Sequence, residues 1–228
     1  MTPSASAAAL LPLRPPVHSP LASAGMDEDS CVLSSMEVAG PALFSVGGAP
    51  LLRRDITEGR PGIPLSLTLQ LRDCDNQGEA ICGAEVYVWH CDAEGRYSGG
   101  HSGPEITAIG ETYLRGVQFS NQAGSVVFHT ILPGCHQCQL EHIHLLVLLP
   151  STVPSSRTVS TASAQLLFPY AVTTAAYSCS TLYRPSLDMQ PPAHAAEPAD
   201  SPSQHTLQVS GNASTGYAAS LVIGITSV

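Results

Sequence analysis

Pro64-Leu-Ser-Leu-Thr-Leu-Gln-Leu71 alternates leucine with small or polar residues at period two, which sets Leu65, Leu67, Leu69 and Leu71 on one face of an extended chain. A strand of that kind needs a second layer over its leucines. Downstream, Asp73-Cys-Asp-Asn-Gln-Gly78 supplies turn residues, and Ala84-Glu-Val-Tyr-Val-Trp-His90 resumes as a β-branched and aromatic strand that ends at Asp92-Ala-Glu-Gly95. Gly124–Leu132 is bounded by Gly124 and Pro133-Gly134, and His142–Leu149 runs into Pro150. Ala164–Phe168 and Ala218–Ile225 read as two further strands, and the Pro- and Ala-rich stretch Pro185–Gln204 as a surface loop. At least six short strands between turns, without a convincing helical period, predict an all-β fold, a β-sandwich with long surface loops.

Residues 1–25 are mostly Ala, Ser, Pro and Leu, a composition with too little patterned apolar surface to offset ordering entropy. They are expected to form a disordered N-terminal tail, followed by one domain over residues 26–228. A length of 228 residues fits a single core, since domains commonly run to about 100–250 residues. Nineteen Gly and nineteen Pro, with aromatic residues at 5%, favour turns over long helices.

The chain has no lysine; its nine basic side chains are arginines and its formal charge is −9 with histidine neutral. Nucleic acid is an unfavourable partner, because phosphate binding needs a basic footprint. No run approaches the roughly 18 apolar residues of a membrane span, so no membrane partner is expected. The apolar start lacks a basic n-region and is broken by prolines, which favours a soluble cytoplasmic protein over a secreted one. Seven cysteines, at 31, 74, 82, 91, 135, 138 and 179, cannot all pair within one chain and match no small disulfide scaffold. Cys74 and Cys82 flank a turn and are candidates for a bridge. Cys135-His-Gln-Cys138 is a CxxC with no second CxxC and no evident helix behind it, more consistent with a structural accident or a local disulfide than with catalysis. Asn212-Ala-Ser214 is a glycosylation sequon.

His142 and His144 lie two apart in a strand, so both side chains project to one face and can share a cation, while Ile143 points into the opposite layer. They are preceded by Pro133-Gly-Cys-His-Gln-Cys-Gln-Leu-Glu-His-Ile-His144, and further upstream stands Trp89-His-Cys-Asp-Ala-Glu-Gly-Arg-Tyr-Ser98. These stretches resemble the two signatures of intradiol ring-cleavage dioxygenases, the catechol, hydroxyquinol and protocatechuate 3,4-dioxygenase family. The likeness continues through Leu52–Gly59, Gly62–Leu65, Tyr113–Gln118 and Gly124–Phe128, and more weakly through Gly216–Ala219, covering about Cys31 to the C-terminus.

The resemblance implies a β-sandwich that holds a ferric ion through two tyrosinates and two histidines and cleaves a catechol between its hydroxylated carbons with molecular oxygen. Tyr97, His142 and His144 match three of those ligands. The second tyrosine position holds His136, and an arginine position three residues before the first ligand histidine holds Gln139. One phenolate fewer weakens the preference for iron(III), and a Tyr plus three His set also suits iron(II), zinc or copper. The proton-accepting role of the lost tyrosine would pass to His136, imidazole being a common general base. A neutral amide at Gln139 cannot stabilise negative charge on a substrate as the arginine does, a loss commonly worth about 10²–10³ in rate.

The expected function is therefore a non-haem iron intradiol dioxygenase-like enzyme acting on a catechol-type aromatic compound, with Tyr97, His136 and Gln139 as catalytic residues. Two alternatives stand beside it: a non-oxidative cyclisation, isomerisation or dehydration with His136 as acid or base, and a non-catalytic protein that binds a phenolic ligand. Relatives of this type often dimerise, which makes a homodimer the assembly to test. Trp89, Tyr87, His90, His101 and His129 read as packing or hydrogen-bonded structural residues, and Arg115 as a structural arginine beside the site.

Overall fold

The computed structural model describes residues 31–34, 36–39, 51–98, 111–149, 158–192 and 204–226. Along the chain these form β1 (Cys31–Ser34), β2 (Met36–Ala39), β3 (Pro64–Asp73), β4 (Glu79–Ala80), β5 (Glu85–Trp89), β6 (Arg115–Phe119), β7 (Ser125–Ile131), β8 (His142–Leu148) and β9 (Thr158–Leu167). Helix α1 (Tyr170–Cys179), a 3₁₀ turn (Thr181–Tyr183) and helix α2 (Arg184–Met189) then precede β10 (Gln204–Thr206), β11 (Gln208–Asn212) and β12 (Gly216–Thr226).

Two sheets result. In the first, β12 runs parallel to β3, pairing Tyr217–Ile225 with Leu65–Asp73; β1 and β11 flank β12, and β7 and β4 flank β3. In the second, β6, β5, β8 and β9 follow one another antiparallel, with β10 and β2 on the far side of β9. The four leucines of β3 are buried and share one core with Val86 and Val88 of β5, Ile143, Leu145 and Val147 of β8, and Leu166 of β9. Burying a side chain of this size contributes about 1.5–3 kcal/mol, so the alternation in β3 and β8 is what binds the two layers. The expected all-β sandwich is the observed fold.

Because successive residues face opposite ways, filling the core with Ile143, Leu145 and Val147 turns His142 and His144 to the outer face of the second sheet. There Tyr87, Trp89, Leu51 and Val117 make a smaller apolar cluster, with Leu146 and Tyr97 packed against it.

The helices correct the sequence reading. Helix α2 takes up residues 185–189 of the stretch expected to be a loop, and Tyr170–Cys179 forms a ten-residue helix. Its buried residues, Thr173, Ala176 and Tyr177, keep a helical spacing in which only one large side chain appears. The expected tail over 1–25 and His101 lie outside the described residues. Cys74, Cys82, Cys91, Cys135, Cys138 and Cys179 are all free thiols, so the bridge considered between Cys74 and Cys82 is not formed.

Candidate metal centre

Strand β8 holds the first two donors. His142 donates from Nδ1 to the Leu140 carbonyl at 2.6 Å, which leaves its lone pair on Nε2, 3.1 Å from Nε2 of His144. The ring of His144 is fixed by the residue registered opposite it: Trp89 stacks on it with centroids 4.7 Å apart and planes 8° apart. Trp89 is 6% exposed and also stacks on Tyr87, a packing residue as expected. The third donor comes from a loop, with the Tyr97 hydroxyl 3.1 Å from His144 Nε2.

Burial holds both imidazoles neutral. It depresses His142 against the pull of the Leu140 carbonyl, and it lowers His144 to about 3 with help from His142 and other neighbours. Burial also raises the Tyr97 phenol, and the charge of nearby Arg115 acts in the opposite direction. Two neutral imidazoles and a phenol are the protonation states from which a cation would displace only the phenolic proton.

The donor set passes a simple test of fit to a first-row metal. Ligands at about 2.0–2.1 Å from one ion stand about 3 Å from each other, the separation found on both measured edges. Among the described residues no three His, Cys, Asp or Glu side chains form a cluster that could hold a metal ion, and the oxygen beside His144 is the Tyr97 phenol.

Tyr97 owes its position to a tightly turned loop. The Asp92 carboxylate accepts the Glu94 and Arg96 amides at 3.0 and 2.9 Å, and the Gly95 N–H donates to the Asp92 carbonyl at 3.0 Å. Gly95 has φ +83°, and a Cβ there would lie 2.1 Å from the Cys135 carbonyl, so glycine permits the two loops to touch. Arg115 fixes the other side of Tyr97. It is 1% exposed and donates to the Ser98 hydroxyl and carbonyl at 2.9 and 3.0 Å and to the Tyr87 hydroxyl at 3.2 Å, consistent with its structural reading.

His136 is brought beside this group. Its ring meets Tyr97 edge-on, with centroids 4.9 Å apart, and its Nδ1 donates to the Gly95 carbonyl at 2.7 Å, which places its lone pair on Nε2. Gln139 is exposed; its backbone N–H closes a turn onto the His136 carbonyl at 3.0 Å. Together with Leu140, His142, Gln165, Leu167 and Gln204 it lines an open cleft of about 450 Å³ that reaches the site through His142.

Several residues with a part in this arrangement were not singled out from sequence. Gln165 is registered opposite His144 across the β8–β9 ladder and bonds to Gln204 at 2.9 Å. The helical segment clamps the loop of His136: Tyr177 and Tyr183 donate to the Pro133 and Leu132 carbonyls at 2.6 and 2.7 Å. The Ser186 hydroxyl donates to the Ala93 carbonyl at 2.7 Å and accepts the Cys135 amide at 2.9 Å, joining the two loops. No sequence period marks these contacts, because they run between segments distant in the chain. His90, by contrast, bonds the Cys91 carbonyl and the Thr130 hydroxyl through its two nitrogens and is a structural histidine, as read. His129 is exposed.

A dioxygenase family profile matches residues 41–151. No curated protein sequence matches the chain. Among solved structures, the chain is similar to an intradiol ring-cleavage dioxygenase from Tetranychus urticae, at 23% identity over 76% of this chain and 86% of that one, with a TM-score of 0.57. It is also similar to the dioxygenase domain of a carbohydrate-binding fusion from a Streptomyces species, at 18% identity over 93% and 99% of the two chains, TM-score 0.50. A third is catechol 1,2-dioxygenase from Pseudomonas arvilla, at 17% identity over 83% of this chain and 60% of that one, TM-score 0.51. At these identities the structural likeness establishes the fold, that of the intradiol ring-cleavage dioxygenases, and the dioxygenase profile falls on the segment that contains Tyr97, His136, His142 and His144.

Proposed function

We propose that the chain is a mononuclear non-haem metal enzyme of intradiol type, with Tyr97, His142 and His144 holding iron, His136 beside them as a fourth ligand or a base, and a small catechol-type aromatic and molecular oxygen as its substrates. The observation that carries this reading is the convergence of one phenolic oxygen and two imidazole nitrogens, with the Tyr97 hydroxyl and His142 Nε2 each 3.1 Å from His144 Nε2. The iron, when bound, supplies Lewis acidity and a path for electrons between an aromatic diol and oxygen.

The chain's own residues orient and move protons. Trp89 and the Leu140 carbonyl fix the two imidazole planes, so donor geometry is set before anything binds. Burial raises the Tyr97 phenol, and the charge of nearby Arg115 opposes that rise. His136 Nε2, backed by the Gly95 carbonyl on the other nitrogen, is suited to accept a proton from a substrate hydroxyl. Gln139, Gln165 and Gln204 offer the cleft neutral amides that hydrogen-bond a substrate without a fixed charge.

The same two departures favour a second reading, a non-oxidative proton-transfer reaction on a related phenolic compound. It uses His136 as acid or base and does not need the positive charge that Gln139 lacks. Oxygen uptake on a panel of catechols with the metal-loaded protein tests the pair. Stoichiometric oxygen consumption supports ring cleavage, and turnover that persists anaerobically supports the second reading. Among the described residues no helix is long and apolar enough to cross a membrane.

A further inference from the structure

The proposed base sits inside a thiol pair. His136 is the second residue of Cys135-His-Gln-Cys138, and the turn it opens is an unfavourable one. The Gln139 N–H bonds the His136 carbonyl while the two central residues, Gln137 and Cys138, have φ of +50° and +59°. That is a type I′ turn, which glycine and asparagine occupy readily and other residues occupy only under strain. The two sulfurs stand in opposite settings. Cys135 is fully buried, with its thiol donating to the Gln139 carbonyl at 3.4 Å and facing the Cys138 backbone amide, whereas Cys138 is exposed. A strained turn, a reachable thiol and a second thiol directed back across the same turn together form a site that can gain by rearranging.

We propose that Cys135 and Cys138 form a dithiol site for exchange with low-molecular-weight disulfides, and that closing it draws His136 away from Tyr97. The consequence for the centre rests on the functional reading above; the exchange itself does not. The exposed Cys138 sulfur attacks one sulfur of the small disulfide, forming a mixed disulfide and releasing one small thiol, which takes up the proton lost by Cys138. Cys135 sulfur then attacks the Cys138 sulfur, forming the protein disulfide and releasing the second small thiol with the proton of Cys135. The two protein thiols are oxidised by two electrons and the small disulfide is reduced to two thiols.

Closure requires Cβ atoms about 3.5–4.5 Å apart, and bringing the exposed Cys138 sulfur onto the buried Cys135 sulfur calls for a change in the turn that joins them. Residue 136 lies between the two cysteines and moves with that change, breaking the 2.7 Å bond to Gly95 and the edge contact with Tyr97. Cys91 and the other described thiols lie outside this turn, and Cys91 is bonded to the Gly134 carbonyl.

The test equilibrates the full-length, iron-loaded protein across ratios of oxidised to reduced glutathione, traps thiols by alkylation, and maps the peptides. Expected is a Cys135–Cys138 linkage, with the protein two hydrogens lighter, and iron retention under a competing chelator falling about tenfold or more as the linkage forms. Cys138→Ser should show neither change while retaining its iron. The proposal is overturned if Cys135 stays alkylatable while Cys138 carries glutathione, or if the linkage forms and iron retention is unchanged. If the reduced protein holds no iron at all, the metal reading fails separately. The dithiol claim is then decided by the mapped linkage and by whether the His136 ring resonances shift on closure.

Discussion

Strand β8 and the 133–139 loop each deliver an imidazole to the same region, but different forces hold them. His142 and His144 ride on a strand paired on both sides, with Ile143, Leu145 and Val147 anchored in the core beneath. His136 hangs from a turn in the left-handed region and is held by single bonds: to the Gly95 carbonyl, through the Ser186 bridge, and through the hydroxyls of Tyr177 and Tyr183. The strand histidines are suited to hold a cation in fixed geometry. The loop histidine is suited to move a proton, and it stands where the family's second tyrosine is expected.

The comparison breaks most sharply under His144→Ala. Removing the atom that meets both other donors should lower metal affinity by more than about 100-fold, beyond the usual effect of losing an outer-sphere partner, as read by metal content after dialysis against a chelator. His136→Ala should weaken metal retention by only about tenfold, well short of the loss in His144→Ala, and reduce turnover by about 10²–10⁴, the usual contribution of a positioned acid or base. Equal loss of metal in the two variants would erase the distinction between strand and loop.

Smaller effects sharpen it. Ser186→Ala orphans the Cys135 amide and the Ala93 carbonyl at a buried position and should cost about 1–3 kcal/mol in urea unfolding, with the loop affected before the sheet. Acid should weaken the metal-free fold through its buried neutral histidines. Burial lowers His90 to about 4 from an ordinary 6.5. The unfolded chain therefore takes up this proton first, and the stability it confers is present above pH 6.5 and lost as pH falls toward 4. One such group contributes a slope of about 1.4 kcal/mol per pH unit, measurable as a shift in unfolding midpoint.

These two regions also divide what could be read from sequence. The leucines of β3 and the His-x-His of β8 announce themselves by period two, because one face is apolar and the other is not. From that pattern and two short motifs follow the sandwich, the likeness to dioxygenases, and the residues that the structure gathers as Tyr97, His142 and His144. The first half of β9, Thr158-Val-Ser-Thr-Ala-Ser-Ala164, was not legible, since alanine at 162 and 164 marks a buried face only weakly. Helix α1 escaped for a similar reason, its inward residues being Thr173, Ala176 and Tyr177. Gln165 becomes visible only once the β8–β9 register sets it opposite His144. The placement of His136 depends on Gly95, Ser186 and two tyrosine hydroxyls contributed from elsewhere in the chain, contacts that no local pattern encodes.

One measurement reads the metal and its phenolate together. Elemental analysis and visible absorption of the purified protein, beside Tyr97→Phe, should find close to one iron per chain and a tyrosinate-to-iron(III) band that disappears in the variant. A protein free of first-row metal, or a band that survives the loss of the Tyr97 hydroxyl, would contradict it.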